Sequence, residues 1–460
     1  MAEDERSSIK TAALEDSIWR DIPEDTFRQH LVTLEERTNA IPIKPWTLSS
    51  KEDDTLSTAN LYTLTVNEEQ KLADDFAYLA AVGEGAQSVA AVCIEENTSS
   101  QSMCIRLAAA DAVDTKVKIH LEEVGQLLTS SRICTCQGMT NSYINSLLTK
   151  IIELQHYKLL GRLRSCKWQK PKYLSRTHKK PLWQDLDNLI HRVQHVYPRK
   201  NHPRQGPVIQ RLLCLQEMLK ALENIPPGRG NELASLQEVV QDCYRFCKSQ
   251  EIEHFATTLE AHGSRTPQLA AALKTLQQIE KIGAFQRIAM GMIARSQTYP
   301  SLFSRIEFEY MQPYSVQSTE IGYERWAKTI HVHAEIQLIV HYDLMSSTAG
   351  ISCFKPPRTV GTSKYLCYLC FLFMSHHGRF SPNNTHGRLY DQWTIPDLAE
   401  YDDAIRQGLR DVIRQMDSDV TELANDIGPR QGKRDAWRSE PMTSRQNLLH
   451  LLPSESEVES

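Results

Sequence analysis

The fold is decided by two short stretches, HVHAEIQLIV at residues 331–340 and TSKYLCYLC at residues 362–370. In the first stretch a strand closes and a helix opens around His333 and Glu335, so both side chains point into one pocket from a rigid helix start. The second stretch carries a C-x-x-C motif at another helix start, where two thiolates can bind one ion and the helix N-terminus favours their negative charge. The two stretches together predict one metal centre.

Neither motif is informative alone, because a chain with 16 His and 11 Cys contains about one H-x-E triplet and roughly 0.3 C-x-x-C motifs by chance. Their conjunction is informative, since His333, Cys367 and Cys370 would supply the imidazole and thiolate ligands that zinc prefers. Three protein ligands leave one tetrahedral position open, which is typical of catalytic zinc rather than of closed structural sites. His331 lies on the same strand face and is an alternative ligand to His333.

An H-x-E motif followed about 20 to 40 residues later by C-x-x-C is the pattern of the zinc deaminases. Here the interval from Glu335 to Cys367 is 32 residues. The longer context HAEIQLI, SKYLCYLC and HGRLYDQW resembles a fungal branch of the cytidine-deaminase-like superfamily, which is related to toxin-type nucleic-acid deaminases. The resemblance is strong over residues 330–396 and weaker elsewhere.

The resemblance implies a role for each motif residue. His333, Cys367 and Cys370 would hold Zn²⁺, and Glu335 would move a proton from the metal-bound water to the ring nitrogen and the leaving ammonia. The expected reaction converts the exocyclic amine of a nucleobase to a carbonyl, with the base free, in a nucleotide or in nucleic acid. The alternative is a catalytically inactive protein in which the deaminase fold and its zinc serve as an interaction scaffold.

Three further residues match the pattern of this branch and are candidates for lining the substrate pocket: Lys364, His386 and Trp393. A tryptophan that follows a strand is also typical of core packing. One position departs from the superfamily, because Leu366 stands where proline normally precedes the first cysteine. Since proline preorganises the first turn of a helix, its absence could loosen the site without removing a ligand.

Around these two metal stretches, residues 331–340 and 362–370, the sequence pattern alternates between strands and helices, which indicates an α/β fold. Strands are predicted at RIEFEYM, AKTIHVH, GISCF and GRLYDQW, and a last helix at residues 397–416. Earlier in the chain, an amphipathic helix at 66–82 precedes two apolar runs at 88–96 and 103–110, which predict a β-hairpin. The resembled fold begins with the same helix-strand-strand order. We therefore expect a three-layer cytidine-deaminase-like sheet with flanking helices.

The middle of the chain has a different sequence pattern, with apolar residues at helical spacing and breaks at loops that contain Pro or Gly. Helices are predicted at residues 141–163, 182–196, 208–222, 232–260 and 267–294. This all-helical block is expected to be a large insertion in the deaminase-like domain. The alternative is an independent N-terminal helical domain followed by a compact deaminase domain.

The predicted division of the chain follows from these patterns. It consists of a mostly flexible N-terminal region at 1–61, the first part of the deaminase-like domain at 62–112, the helical insertion at 113–299, the second part with the zinc site at 300–416, and a flexible tail at 417–460.

The composition of the 460 residues indicates an intracellular protein, in the cytoplasm or nucleus. Because no run of about 18 apolar residues occurs and the first 30 residues carry acids throughout, neither a transmembrane segment nor a signal peptide is expected. The odd count of 11 Cys argues against a secreted disulfide framework. Four cysteines are predicted to be small core residues: Cys93, Cys104, Cys166 and Cys214.

One segment, residues 158–180, holds nine Lys or Arg and no acid, with aromatic residues interleaved. Basic charge beside stacking aromatics is what a single-stranded nucleic-acid path requires, although the net charge of −5 gives no global attraction. The residues that would make this contact are Lys158, Arg162, Arg164, Lys167, Lys170 and Lys172. A solvated loop or a protein-binding surface are the alternatives.

Overall fold

The computed structural model describes residues 15–47, 62–83, 88–97, 99–134, 136–170, 180–197, 202–226, 229–261, 266–325, 327–347 and 354–427. These residues form helices together with several small sheets, which is compatible with an α/β fold joined to a helical region. Within them, no helix is both long and apolar enough to cross a membrane.

The strands are short except for one hairpin. They are β1 (Trp46–Thr47), β2 (Ala90–Asn97), β3 (Ser102–Ala109), β4 (Arg305–Tyr310), β5 (Gln317–Ser318), β6 (Thr329–Val332), β7 (Gly361–Thr362), β8 (Asn384–Thr385) and β9 (Trp393–Thr394).

The helices account for most of the remaining structure. They are α1 (Glu24–Thr38), α2 (Val66–Ala80), α3 (Thr115–Ser131), α4 (Gln137–Leu163), α5 (Leu182–Val196), α6 (Gln205–Asn224), α7 (Arg229–Cys247), α8 (Gln250–Ala261), α9 (Pro267–Thr298), α10 (Ala334–Ser347), α11 (Tyr368–His377) and α12 (Asp403–Asp426).

The main sheet joins parts of the chain that lie on both sides of the helical block. Its strand order is β4-β3-β2-β7, with β2 and β3 antiparallel and β4 parallel to β3. The hairpin expected before the block is therefore present, and it pairs with strands that follow the block. A smaller sheet, β5-β6-β9, lies next to the metal stretches.

The hairpin divides the protein into two cores, because successive strand residues point to opposite faces of a sheet. From β2, Val92 and Ile94 join a large apolar core that includes the helical block. Ala91 and Cys93 join a second core, which contains α10, α11 and α12. The metal stretches thus lie on the face of the sheet opposite the helical block.

The helical block contains the predicted helices and one more, α3, with one predicted helix divided in two. The helix expected at 232–260 is broken, since α7 ends at Cys247 and α8 begins at Gln250. At the break, the Ser249 hydroxyl donates to the Phe246 carbonyl, and the Ser249 carbonyl accepts from the Ile252 N–H at the start of α8. A serine that bonds to nearby backbone in this way competes with a continuous helix.

The expectation of a mostly flexible N-terminal region was wrong for residues 15–47. Helix α1 packs against α12 and buries Phe27, Leu31 and Leu34. These three residues form a short apolar stripe at i, i+4 and i+7, and two acids in the first turn favour the helix start. Residues 1–14 and 48–61 lie outside the described part of the chain.

The last helix also differs from its prediction, because α12 begins at Asp403 and continues to Asp426. The Asp402 side chain caps its start by accepting from the Ile405 N–H at 2.8 Å. Beyond residue 416, Val420 and Ala424 continue the buried stripe, so the expected flexible tail is helical as far as α12 extends. Residues 428–460 are outside the described residues.

Two of the four cysteines predicted to be core residues are exposed. Cys93 and Cys104 are buried in the hairpin, but Cys166 and Cys214 lie at the surface. Cys166 follows the left-handed residue that ends α4, and Cys214 is on the outer face of α6. The predicted strand at GISCF lies outside the described residues except for Phe354.

Candidate metal centre

His333 lies at the junction of a strand and a helix, as the sequence predicted. β6 ends at Val332, and the His333 carbonyl accepts the first helical hydrogen bond of α10, from the Gln337 N–H at 3.0 Å. The Gln337 side chain also donates to the carbonyls of Val332 and Ala109, each at 3.0 Å. These bonds fix the start of α10 against both β6 and the hairpin.

The cysteine pair lies at the start of α11. Cys367 is the N-cap residue, and its sulfur accepts from the Cys370 backbone N–H at 3.3 Å. The spacing of three residues therefore brings both thiols to the same end of the helix, where the helix dipole favours negative charge.

Leu366 is held in place although proline is absent. Its N–H, which proline would lack, donates to the Asn384 side chain at 3.2 Å. Its carbonyl accepts from the His386 N–H at 3.1 Å and from the Thr385 hydroxyl at 2.9 Å. Three hydrogen bonds therefore fix the approach to Cys367 in a way that does not depend on a proline ring.

The three predicted ligands converge. The His333 Nδ1 lies 3.6 Å from the Cys367 sulfur and 3.4 Å from the Cys370 sulfur. All three ligand atoms lie within 4.8 Å of one another, so the group could hold a metal ion. In a tetrahedral zinc site, bond lengths of about 2.3 Å to sulfur and about 2.0 Å to nitrogen place these atoms about 3.5 Å apart. The observed separations fit that arrangement.

His331, the alternative ligand, is directed elsewhere. Its Nε2 lies 3.2 Å from the hydroxyl of Thr329, which belongs to the same strand. Among the described residues, the group that could hold a metal contains His333 and the two cysteines and does not contain His331. The arrangement of the side chains therefore favours the histidine of the H-x-E motif as the imidazole ligand.

Each candidate ligand shifts the pKa of its neighbours. Burial lowers the pKa of His333, but the Cys367 thiolate outweighs it and raises that pKa above its usual value. Burial raises the pKa of Cys367, yet the Cys370 hydrogen bond and the charge of His333 hold it well below its usual range. Burial and the neighbouring Cys367 raise the pKa of Cys370 well above its usual value. The site thus concentrates negative charge on one sulfur, as binding of a cation requires.

Glu335 lies beside the thiols and is only 4 % exposed. Its Oε2 accepts from the Cys370 thiol at 3.6 Å. Burial raises the pKa of Glu335 above the usual carboxyl range, and the charge of His333 acts in the opposite direction. A buried carboxyl group with a raised pKa next to a metal-binding group is a candidate for proton transfer.

His386 is 3 % exposed and lies beside the segment that leads into Cys367. Its Nδ1 accepts from the Arg388 backbone N–H at 3.1 Å, so in the neutral ring the proton is on Nε2. Burial lowers the pKa of His386 to about 4, and the positive charges of Arg388 and Lys364 act in the same direction. His386 is therefore a neutral hydrogen-bond donor at neutral pH.

Trp393 is 1 % exposed and packs against Phe373 of α11, with ring centroids 6.1 Å apart. This environment is that of a core residue, the alternative that the sequence left open. Lys364 is partly exposed and acts electrostatically on His386. The three candidates for lining the pocket thus differ. His386 and Lys364 lie near the metal-binding group, whereas Trp393 packs in the core against α11.

The basic segment of the helical block is largely engaged with the protein itself. Lys158 is 7 % exposed and donates to the Ala81 carbonyl. Three other cations bond to protein groups: Arg162 to the Lys281 carbonyl, Arg164 to the Asp185 carboxylate and Lys167 to the Leu222 carbonyl. Lys172 lies outside the described residues. Contact with nucleic acid through this segment remains a prediction, and buried Lys158 is not available for it.

Two supporting residues were not predicted from the sequence. Asn384 accepts from the backbone just before Cys367, and Arg28 of α1 donates to the carbonyls of Asp391 and Trp393. An asparagine in a polar loop and an arginine in a charged N-terminal segment carry no local signal of such roles, since their partners are distant in sequence.

Comparisons with known proteins agree with this geometry. A model of the OTT_1508-like deaminase family matches residues 332–397. The match covers less than half of the chain but includes all three candidate ligands, and it supports a relationship to deaminases. Searches of curated proteins and of solved structures gave no match.

Proposed function

We propose that this protein is a zinc-dependent hydrolytic deaminase of a nucleobase, from a fungal branch of the cytidine-deaminase-like superfamily. The observation that carries the proposal is the convergence of the His333 imidazole and the thiols of Cys367 and Cys370 beside the buried carboxyl of Glu335. The family match over the same residues supports it independently.

The ligand set suits zinc, because one imidazole and two thiols are preferred ligands and a set of three protein ligands leaves one position for substrate chemistry. When bound, zinc supplies the Lewis acidity that makes water a strong nucleophile at neutral pH. His333, Cys367 and Cys370 would hold the ion, and α10 and α11 would keep these ligands rigid.

Glu335 would move the protons of the reaction. Water adds to the carbon that bears the exocyclic amine, and Glu335 accepts one proton from that water and delivers it to the ring nitrogen. A second transfer through Glu335 allows ammonia to leave, so the amine is replaced by a carbonyl and the carboxyl returns to its initial state. The raised pKa of Glu335 makes its carboxylate a stronger base and so favours the step that takes the proton from water.

His386 would orient the substrate. Its Nε2–H is a donor at neutral pH, and a ring carbonyl or sugar oxygen of a nucleoside is a suitable acceptor. Lys364, which lies near His386, would favour a substrate that carries phosphate, in a nucleotide or a nucleic acid. Trp393 would contribute by packing rather than by contact with the base.

We also propose that residues 62–112 and 300–416 constitute one deaminase domain with cytidine-deaminase-like layers, and that residues 113–299 are an insertion in it. The pairing of the hairpin with β4 and β7 supports this division. The association of α1 with α12 supports including residues 15–47 in the same domain.

The decisive experiment compares Glu335→Gln with the wild type. The substitution keeps the size of the side chain and removes its ability to move protons. We expect unchanged zinc content and a loss of turnover of at least about a hundredfold on a panel of cytosine- and adenine-containing nucleosides, nucleotides and oligonucleotides, measured as ammonia release. Zinc binding with no ammonia release from any member of the panel by the wild type would favour the inactive scaffold.

A further inference from the structure

Strand β9 supports the strand that leads into His333. Trp393 pairs with His331, and Thr394 pairs with Val332, the residue directly before His333. The His331 N–H also donates to the Gln392 carbonyl at 2.8 Å. A shift of β9 would therefore move the imidazole relative to the two thiols.

The same strand reaches the cysteine ligands through its tryptophan. The Trp393 ring packs on Phe373 of α11, one turn beyond Cys370. The buried indole N–H has no partner of regular hydrogen-bond geometry among the described residues. β9 thus contacts both the strand that leads into His333 and the helix that carries Cys370.

Helix α1 is joined to β9 by side-chain hydrogen bonds. The Arg28 guanidinium, 2 % exposed, donates to the Asp391 carbonyl at 2.5 Å and to the Trp393 carbonyl at 3.5 Å. Glu24 accepts from Arg28 at 3.0 Å and from the Thr394 hydroxyl at 2.5 Å. A buried guanidinium is stable only when its donors are satisfied, so these carbonyls and α1 are fixed relative to each other.

We propose that Arg28 is a positioning residue for the metal centre: from helix α1 it fixes β9, and through β9 both the strand that leads into His333 and the Trp393 ring that packs on helix α11. The inference rests on the proposed function in one respect, that the centre binds zinc. It assigns to a helix more than 300 residues away in sequence an influence on metal affinity that acts through β9.

Arg410 provides a matched control. It is also buried, lies on α12, and holds the same N-terminal region by donating to the carbonyls of Ser17 and Glu15 at 2.8 and 3.1 Å. These hydrogen bonds do not involve β9. Arg28→Met and Arg410→Met therefore both remove a buried guanidinium that anchors residues 15–47, but only the first releases β9.

The test measures zinc affinity of the full-length protein by competition with a chromophoric chelator, and the absorption spectrum of the cobalt-substituted protein. We expect Arg28→Met to weaken zinc binding about 10- to 100-fold and to shift the cobalt bands, which depend on ligand geometry. Arg410→Met should lower thermal stability while leaving the affinity within about threefold and the cobalt spectrum unchanged. Trp393→Phe, which reduces the ring that packs on Phe373 of α11, should weaken binding about tenfold.

The outcomes are distinguishable. If the wild type binds zinc and both arginine variants bind it equally well with wild-type cobalt spectra, the role of Arg28 is overturned and the proposed function is unaffected. If the wild type binds no zinc, the proposed function fails, and the inference fails with it. Should Arg28→Met not fold, Trp393→Phe alone decides: wild-type affinity and spectrum would overturn the inference.

Discussion

The helical block and the metal centre are stabilised by different interactions. In the block, buried leucines of α4 to α9 form a continuous apolar core. Around the metal centre the buried groups include Arg28, Glu35, Glu335 and His386, and directional hydrogen bonds hold the arginine and the histidine. Apolar packing in the block is non-directional and involves many neighbours, whereas each polar contact has a defined partner. The comparison predicts that stability and metal binding can be altered separately.

The largest effect on zinc affinity is expected at the cysteine ligands. A second pair of buried cysteines, in the helical block, serves as the control. Cys367→Ser/Cys370→Ser should lower zinc affinity by about a thousandfold or more, because two of three ligands lose their thiolate character. The matched double substitution in the block, Cys243→Ala/Cys247→Ala, should cost about 1–2 kcal/mol of stability and leave zinc content unchanged. Elemental analysis of both variants measures their zinc content. Loss of zinc from the second variant would contradict the separation of the two regions.

A smaller effect is expected from leucines that are equally buried in the two regions. Leu276→Ala in α9 should lower the free energy of unfolding by about 2–5 kcal/mol without changing zinc affinity. Leu369 lies between the two cysteines of α11, so Leu369→Ala should lower both quantities. Denaturant titration and chelator competition provide the two measurements. Equal zinc affinity of the two variants would show that α11 does not need its packing to hold the ligands.

The buried acid of α1 gives a pH-dependent prediction. Burial raises the pKa of Glu35 to about 9, and Asp391 adds to the effect. The folded protein therefore retains a proton on Glu35 that the unfolded chain releases above about pH 4.5, so the contribution of this group to stability is lost as the pH rises toward 9.

The substitution Glu35→Gln removes this loss of stability at high pH, because glutamine does not titrate. The unfolding free energy of the variant should exceed that of the wild type by an amount that grows with pH and reaches about 1–3 kcal/mol at about pH 8. The control, Glu217→Gln on the surface of the helical block, should change stability by less than about 0.5 kcal/mol at any pH. Denaturation at about pH 5, 6.5 and 8 measures the difference; a constant offset across this range would rule out titration of Glu35.

The smallest effect is expected from the basic segment. Because Lys158, Arg162 and Lys167 are bound to protein groups, the segment is expected to contribute little to nucleic-acid binding. Lys170→Glu/Lys172→Glu should reduce the slope of log affinity against log salt for a single-stranded oligonucleotide by at most about 2, with unchanged zinc content. An unaltered slope would remove this segment from the substrate path and leave the metal centre as it is.

Much of the local structure could be predicted from the sequence, because local periodicity determines it. The hairpin, α10, α11 and most helices of the block follow from apolar spacing and from breaks at Pro and Gly. The errors occurred where one contact competes with periodicity or where the stripe is short. The helix expected at 232–260 breaks at Ser249, whose side chain bonds to nearby backbone, and α1 was missed because its apolar stripe has only three strong positions.

For the metal centre, the sequence by itself determined the local geometry. A histidine two residues before a glutamate at one helix start, and two cysteines three apart at another, place their side chains together within each motif, since helix geometry is local. The tertiary structure decided that Nδ1 of His333 lies within 3.6 Å of both sulfurs, that Asn384 takes the N–H of Leu366, and that Arg28 supports β9. Those contacts join residues distant in sequence, and only the packing of the sheet, α1 and α11 brings them together.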